Sequence, residues 1–261
     1  MKVKGYILFD IDGVIRDVTN SYRLSIQKTV KNYIGWIPPM EVIDNLKSEG
    51  SWNNDWDVSL EIIKRRQQKL ENKFLLPSRK DIIKTFGNFY FGGDLKDDYK
   101  NWNGFIKNEE LLVNKDFFKV ISSLNIKWGF VSGAEKPSAK YLLEERLGLN
   151  KPALIVMGDA PEKPNPTGFL TLVGKLAECP INYIDKPIAY VGDTVADILT
   201  IKNARKRFPK QKFYSFAVAP PHLHKVNKKI NRKNYEKQLI DAGADFILEK
   251  TKDLLENINK W

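Results

Sequence analysis

The sequence predicts an α/β fold: a Rossmann-like, doubly wound parallel sheet core with an inserted all-helical cap domain. Two patterns carry this expectation. Short apolar runs recur along the chain with helical periodicity between them, and one long stretch after the first run has helical periodicity without a convincing strand.

The first run, residues 5–9, ends in Asp10. A strand covered on both faces reads as such an unbroken apolar run. Comparable runs lie at 126–131, 153–157, 188–191, 213–218 and, weakly, 246–248. Helical patterns fall at 115–124, 138–147, 168–177, 195–207 and 252–258. Strands alternating with helices specify a parallel sheet with helices on both faces. From about 18 to 108 the rhythm breaks, and helices are predicted at 22–34, 40–46, 58–74 and 81–90, punctuated by Pro38-Pro39, Gly50, Pro77 and Gly92-Gly93. The expected division is a core of residues 1–16 and 109–261 and a helical cap of 17–108. A second, smaller insertion is expected between Pro220 and Ala242.

The chain of 261 residues is 42% hydrophobic and 29% charged, ordinary for a folded domain that buries its own core. One cysteine, Cys179, precludes an internal disulfide and fits a reducing compartment. No signal peptide or membrane-length apolar run is seen, so a cytoplasmic location is expected. The formal charge of +11 comes from basic residues that are scattered, with the densest group between Lys225 and Lys237. Nucleic acid is therefore not expected as a partner. Without a coiled-coil or repeat pattern, a monomer or weak homodimer is expected.

In a doubly wound sheet, ligands bind beyond the carboxyl ends of the strands. There the sequence offers Asp10-Ile11-Asp12-Gly13-Val14, then Ser132-Gly133, then Lys163-Pro164, then Gly192-Asp193-Thr194-Val195-Ala196-Asp197. Each fragment has an ordinary structural explanation: a turn, a helix cap, a surface lysine, a strand end. Their occurrence together, in chain order at successive strand ends, points to catalysis.

These residues resemble the motifs of the haloacid dehalogenase superfamily. Phe9-Asp-Ile-Asp-Gly-Val14 is similar to its first motif, Ser132 to its second, Lys163 to its third and Gly192-Asp193…Asp197 to its fourth. The helical insert after the first motif resembles the type-1 cap of its subfamily I. The resemblance implies a phosphatase of a small phosphorylated metabolite, a sugar or organic-acid phosphate. Asp10 would be the nucleophile forming an aspartyl-phosphate, and Asp12 the acid and base for leaving group and water. Ser132, with the N–H groups of Gly133 and Ala134, would bind phosphate, and Lys163 would neutralise charge. Mg²⁺ would be held by Asp10, Asp193 and the Asp12 carbonyl, with Asp197 behind a bound water. Dehalogenases of the superfamily lack the second aspartate, so Asp12 favours phosphate-ester chemistry. The stretch Asp12-Gly-Val-Ile15 is also similar to that of some phosphomutases, which keeps a mutase of the beta-phosphoglucomutase type as the alternative. Where many relatives carry Ala-Gly-Met after the fourth motif, this chain has Ile-Leu-Thr-Ile-Lys-Asn-Ala-Arg.

In the insert, the loop Gly50-Ser-Trp-Asn-Asn-Asp-Trp56 sets two indoles among short polar side chains. Trp52, Asn53 and Asn54 are expected to read the substrate; the competing account has the tryptophans pinning helices and the polar residues capping one. Arg16, where the chain leaves for the insert, is expected either to meet the far end of the substrate or to sit on the hinge. His222 and His224 lack a nearby cysteine and read as loop residues.

Overall fold

The computed structural model describes residues 2–49, 52, 54–71, 75–93 and 98–258. In chain order the elements are β1 (Gly5–Phe9), β2 (Arg16–Asp17), α1 (Thr19–Ile34), α2 (Met40–Ser48), α3 (Asp55–Leu70), α4 (Arg79–Tyr90), β3 (Glu110–Leu111), α5 (Lys115–Ser123), β4 (Ile126–Val131), α6 (Lys136–Lys140), β5 (Leu154–Ile155), α7 (Thr167–Ala177), β6 (Ile188–Gly192), α8 (Val195–Arg207), β7 (Phe213–Val218), α9 (Lys229–Ala242), β8 (Phe246–Leu248) and α10 (Leu254–Asn257). The chain divides into two compact units, Met1–Asp17 with Glu110–Trp261, and Val18–Glu109.

The first unit is built on a six-stranded sheet in the order β5-β4-β1-β6-β7-β8, and every pairing in it is parallel. This is the predicted α/β architecture. β1 lies between β4 and β6, and all five of its residues are buried. Ile7 and Phe9 face one core layer with Phe117, Phe118, Ile121 and Phe130. Tyr6 and Leu8 face the other with Phe169, Val173 and Tyr190. Phe9 meets Phe117 and Phe118 edge-on at 5.8 and 5.7 Å, a geometry favoured by the ring quadrupoles. Both faces of β1 are covered, which is why its sequence shows no polar alternation.

Three details depart from the sequence expectation. β5 is only two residues long, where a five-residue run suggested a longer strand. The helix read at 138–147 starts at Lys136, and its second half, Tyr141–Arg146, winds as a π-helix. A short antiparallel ribbon, β2 with β3, was not foreseen, because two-residue strands carry no periodicity.

The second unit has no strand among its described residues. Tyr22 stacks on Tyr90 at 4.8 Å, Tyr90 meets Phe91 at 4.8 Å, and Phe91 packs on the fully buried Trp102 at 4.7 Å. α1 stops at Gly35, whose left-handed backbone (φ 66°) lets its N–H close on the Lys31 carbonyl. α3 ends at Leu70 because Glu71 is left-handed (φ 52°); the expected continuation to Phe74 falls outside the described residues. Among the described residues, no helix is long and apolar enough to cross a membrane.

Candidate active site

Three central strands deliver the site. Asp10 follows β1, Ser132 follows β4, and Asp193 follows β6, so the strand order alone sets stretches more than 120 residues apart in sequence side by side. The Asp10 N–H donates to the Val191 carbonyl at 2.9 Å, which holds the first acid level with the end of β6. Gly13 turns the chain away with φ 77°, and a Cβ there would overlap the Asp193 carboxylate. A Cβ on Gly192 would likewise strike the Asp197 side chain. Both glycines are required by the close approach of acids, beyond any turn preference.

Asp197 stands in the first turn of α8. Its Oδ2 accepts from the Thr194 N–H (2.9 Å) and hydroxyl (2.6 Å), closing a capping box. Its Oδ1 receives Lys163 Nζ at 2.5 Å, and the same ammonium lies 3.1 Å from Asp10 Oδ2. Asp10, Asp193 and Asp197 each offer an oxygen within 4.8 Å of the others, all three residues being buried. Ser132 is buried at the end of β4, which neighbours β1, its Oγ accepting from the Ala134 N–H at 3.2 Å, while a Cβ on Gly133 would meet nothing within 4 Å. Asp12 is not in the acid cluster: its carboxylate pairs with Arg16 at 2.7 Å. Arg16 is itself fully buried and also donates to Ser138 Oγ at 2.8 Å. In the helical unit, Trp52 donates to Glu49 at 3.0 Å, and Asn54 caps α3 by accepting from the Trp56 N–H at 2.9 Å. Asn53 lies outside the described residues, as do Gly50 and Ser51.

The electrostatics are set by burial and crowding. Burial, followed by the neighbouring carboxylates Asp197 and Asp12, pushes Asp10 up to about 6 despite the opposing pull of Lys163. Burial, then Asp197 and Asp10, pushes Asp193 well above the carboxylate range. Burial alone would lower Lys163, but Asp10 and Asp197 outweigh it and hold the ammonium above its ordinary value. Two carboxylates about 4 Å apart repel by about 4 kcal/mol at an effective dielectric of 20. One lysine does not offset three of them.

The donor set fits a hard divalent cation on the structure's own terms. It is all oxygen, and Asp10 Oδ1 and Asp193 Oδ1 are buried with no hydrogen-bond partner. Buried anionic oxygens of this kind require a counter-charge. Among the described residues this is the single cluster of three or more such side chains. His224 instead bonds the Ala219 carbonyl at 2.8 Å.

Sequence reasoning passed over three polar groups that hold predicted site residues. The Tyr190 hydroxyl donates to the Val131 carbonyl at 2.7 Å and receives Lys163 at 3.1 Å. The Tyr235 hydroxyl, from α9, donates to the Asp193 carbonyl at 3.0 Å. Ser138 holds Arg16. A tyrosine inside an apolar strand run was the available signal, since a buried phenol needs a partner.

A family model described as haloacid dehalogenase-like hydrolase matches residues 5–205. An imidazoleglycerol-phosphate dehydratase of Phytophthora nicotianae is 28% identical over 200 residues, 76% of this chain but 41% of that protein, so the chain matches less than half the length of that relative. Among solved structures, phosphatase Tt82 of Thermococcus thioreducens aligns with TM-score 0.62 and 22% identity over 88% of this chain and 99% of that one. A provisionally named beta-phosphoglucomutase of Thermotoga maritima aligns with TM-score 0.64 and 18% identity over 99% of both chains. A phosphonoacetaldehyde hydrolase-like protein of Oleispira antarctica gives TM-score 0.66 and 16% identity over 99% of this chain and 93% of that one. At these identities the structural likeness is one of fold.

Proposed function

We propose, from the premise that this chain belongs to the haloacid dehalogenase-like hydrolase family, that it is a Mg²⁺-dependent phosphatase of small phosphate monoesters working through an aspartyl-phosphate on Asp10. The observation that carries this reading is the buried cluster of Asp10, Asp193 and Asp197, bridged on one side by Lys163 and left with orphaned oxygens on Asp10 and Asp193.

The Asp10 carboxylate attacks phosphorus; the bond to the ester oxygen breaks, and the departing alkoxide takes a proton from Asp12. A water then gives its proton to Asp12, attacks the aspartyl-phosphate, and inorganic phosphate leaves with Asp10 restored. Ser132 and the N–H of Gly133 orient the phosphoryl oxygens, with Ala134 holding the Ser132 hydroxyl in place. Lys163 neutralises charge on Asp10 and on the transferring group and is steered by Asp197. Asp10, Asp193 and the Asp12 carbonyl, together with Asp197, would hold Mg²⁺, which would supply positive charge to keep Asp10 ionised and to offset phosphate repulsion.

The helical cap, residues 17–108, is the substrate-selecting element in this reading, with Trp52, Asn53 and Asn54 as its candidate contacts. The name of the Phytophthora relative puts phosphate esters of imidazole-bearing alcohols, imidazoleglycerol phosphate among them, beside sugar and organic-acid phosphates on the first panel. The test is that panel with millimolar Mg²⁺, scored by phosphate release, with Asp10→Asn as control. Release that persists in the control refutes the reading. Isomerisation of a sugar phosphate, dependent on its bisphosphate and without phosphate release, turns it to the mutase.

A further inference from the structure

We infer that Arg16 is a positioning residue for Asp12, with Ser138 as its anchor; the inference rests on the phosphatase reading of Asp12. Asp12 sits in a loop just past β1, and its side chain is 24% exposed. Arg16, four residues on, is completely buried, and its Nε donates to Asp12 Oδ1 at 2.7 Å. A second nitrogen of the same planar guanidinium, Nη2, donates to Ser138 Oγ at 2.8 Å. Ser138 is itself buried, in α6, after the strand that ends at Ser132.

The backbone repeats the clamp. The Gly13 N–H donates to the Arg16 carbonyl at 2.9 Å, and the Arg16 N–H to the Ile11 carbonyl at 3.2 Å. β2 then ties Arg16 opposite Leu111. The guanidinium is thus held in two directions, and a charge-assisted bond from a fixed donor restrains the carboxylate oxygen that it holds. A lysine would keep the charge but not the two-direction geometry.

A proton donor 1 Å out of place loses its advantage for a departing group that needs the proton, and loses little for one that leaves readily as an anion. Disturbing the clamp therefore has a signature that loss of folded protein lacks. With Mg²⁺ present, 2-glycerol phosphate and p-nitrophenyl phosphate serve as the slow and fast leaving groups. Asp12→Asn sets the scale: it lowers turnover on glycerol phosphate by about 10²-fold or more, the usual range for removing a general acid, and on nitrophenyl phosphate far less. Arg16→Lys reproduces the split at about 10-fold, in turnover and not in KM, and Ser138→Ala does so more weakly. Because Ser138→Ala deletes one hydroxyl and keeps the arginine, it decides the matter where Arg16→Lys fails to fold.

Equal losses on both substrates in the two clamp variants, with the Asp12→Asn split present, overturn the inference and leave the phosphatase reading standing. An Asp12→Asn variant without a split overturns both. Independently of activity, the metal-free melting temperatures of Arg16→Lys, Asp12→Asn and the double variant are expected to be non-additive, the double losing less than the sum. Strict additivity also overturns the inference.

Discussion

Each unit of the molecule buries carboxylates, and in opposite company. In the helical unit, Glu109 is 3% exposed and accepts from the hydroxyls of Ser21 at 2.6 Å and Tyr90 at 3.0 Å. Hydroxyls from α1 and α4 meet a single acid there, in a hydrogen-bonded network that ties the two helices together. In the α/β unit, Asp10, Asp193 and Asp197 crowd one another around a single lysine. The first arrangement sets one acid against hydroxyl donors; the second sets like charges against one another. The pairs Arg65–Glu49 and Arg79–Asp57 of the helical unit are exposed and worth little. Chemistry is therefore to be sought where burial and like charge coincide.

The most severe way to break this contrast is Asp10→Asn. Turnover should fall by at least about 10⁴-fold, as for removal of a nucleophile. Stability should move the other way. Asp10 is raised to about 6 in the folded chain against an ordinary 3.8, so the folded state holds its proton where the unfolded state has lost it. The stability associated with the protonated group is complete below the unfolded value and lost as pH rises through the folded one. Metal-free Asp10→Asn should therefore melt above wild type at pH 7, and the gap should close as pH falls from about 6 towards 4. A gap independent of pH removes the claim of stored charge.

Next in size, Mg²⁺ should raise the wild-type melting temperature, with a stabilisation of about 2.7 kcal/mol at a hundredfold excess over Kd. A melting curve unmoved by Mg²⁺ counts against the cation site. Smaller again, Tyr190→Phe removes the phenol between Lys163 and the Val131 carbonyl. It should cost about 1–2 kcal/mol in urea unfolding, because a buried carbonyl loses its donor, and lower turnover by about 10-fold. The smallest effect lies in the helical unit. Asn54→Ala should cost about 1 kcal/mol through the lost cap of α3, with Asn54→Ser recovering most of it. An Asn54→Ala enzyme of unchanged stability but raised KM would return Asn54 to substrate reading.

The strand-end groups were legible because each is announced locally, by an apolar run that stops at a polar residue. Asp10, Ser132 and Asp193 required only the rule that parallel strands share one carboxyl edge. Arg16 was visible as a residue, but not its engagement: nothing local says that it turns inward to Asp12 and to Ser138, 122 positions away. Tyr190 reads as one more member of a buried strand, and Tyr235 as part of a basic helix face. Their hydroxyls acquire meaning only from partners on other elements, 59 and 42 residues distant.

By itself, the sequence determined the α/β class, the helical insert and the roster of acids beyond the strands, because periodicity and strand ends are properties of neighbouring residues. Only the tertiary structure decided that Asp10, Asp193 and Asp197 crowd together while the Asp12 carboxylate is held by a buried arginine. The reason is physical: burial and charge–charge energy depend on distances of a few ångströms between residues that the chain order keeps far apart.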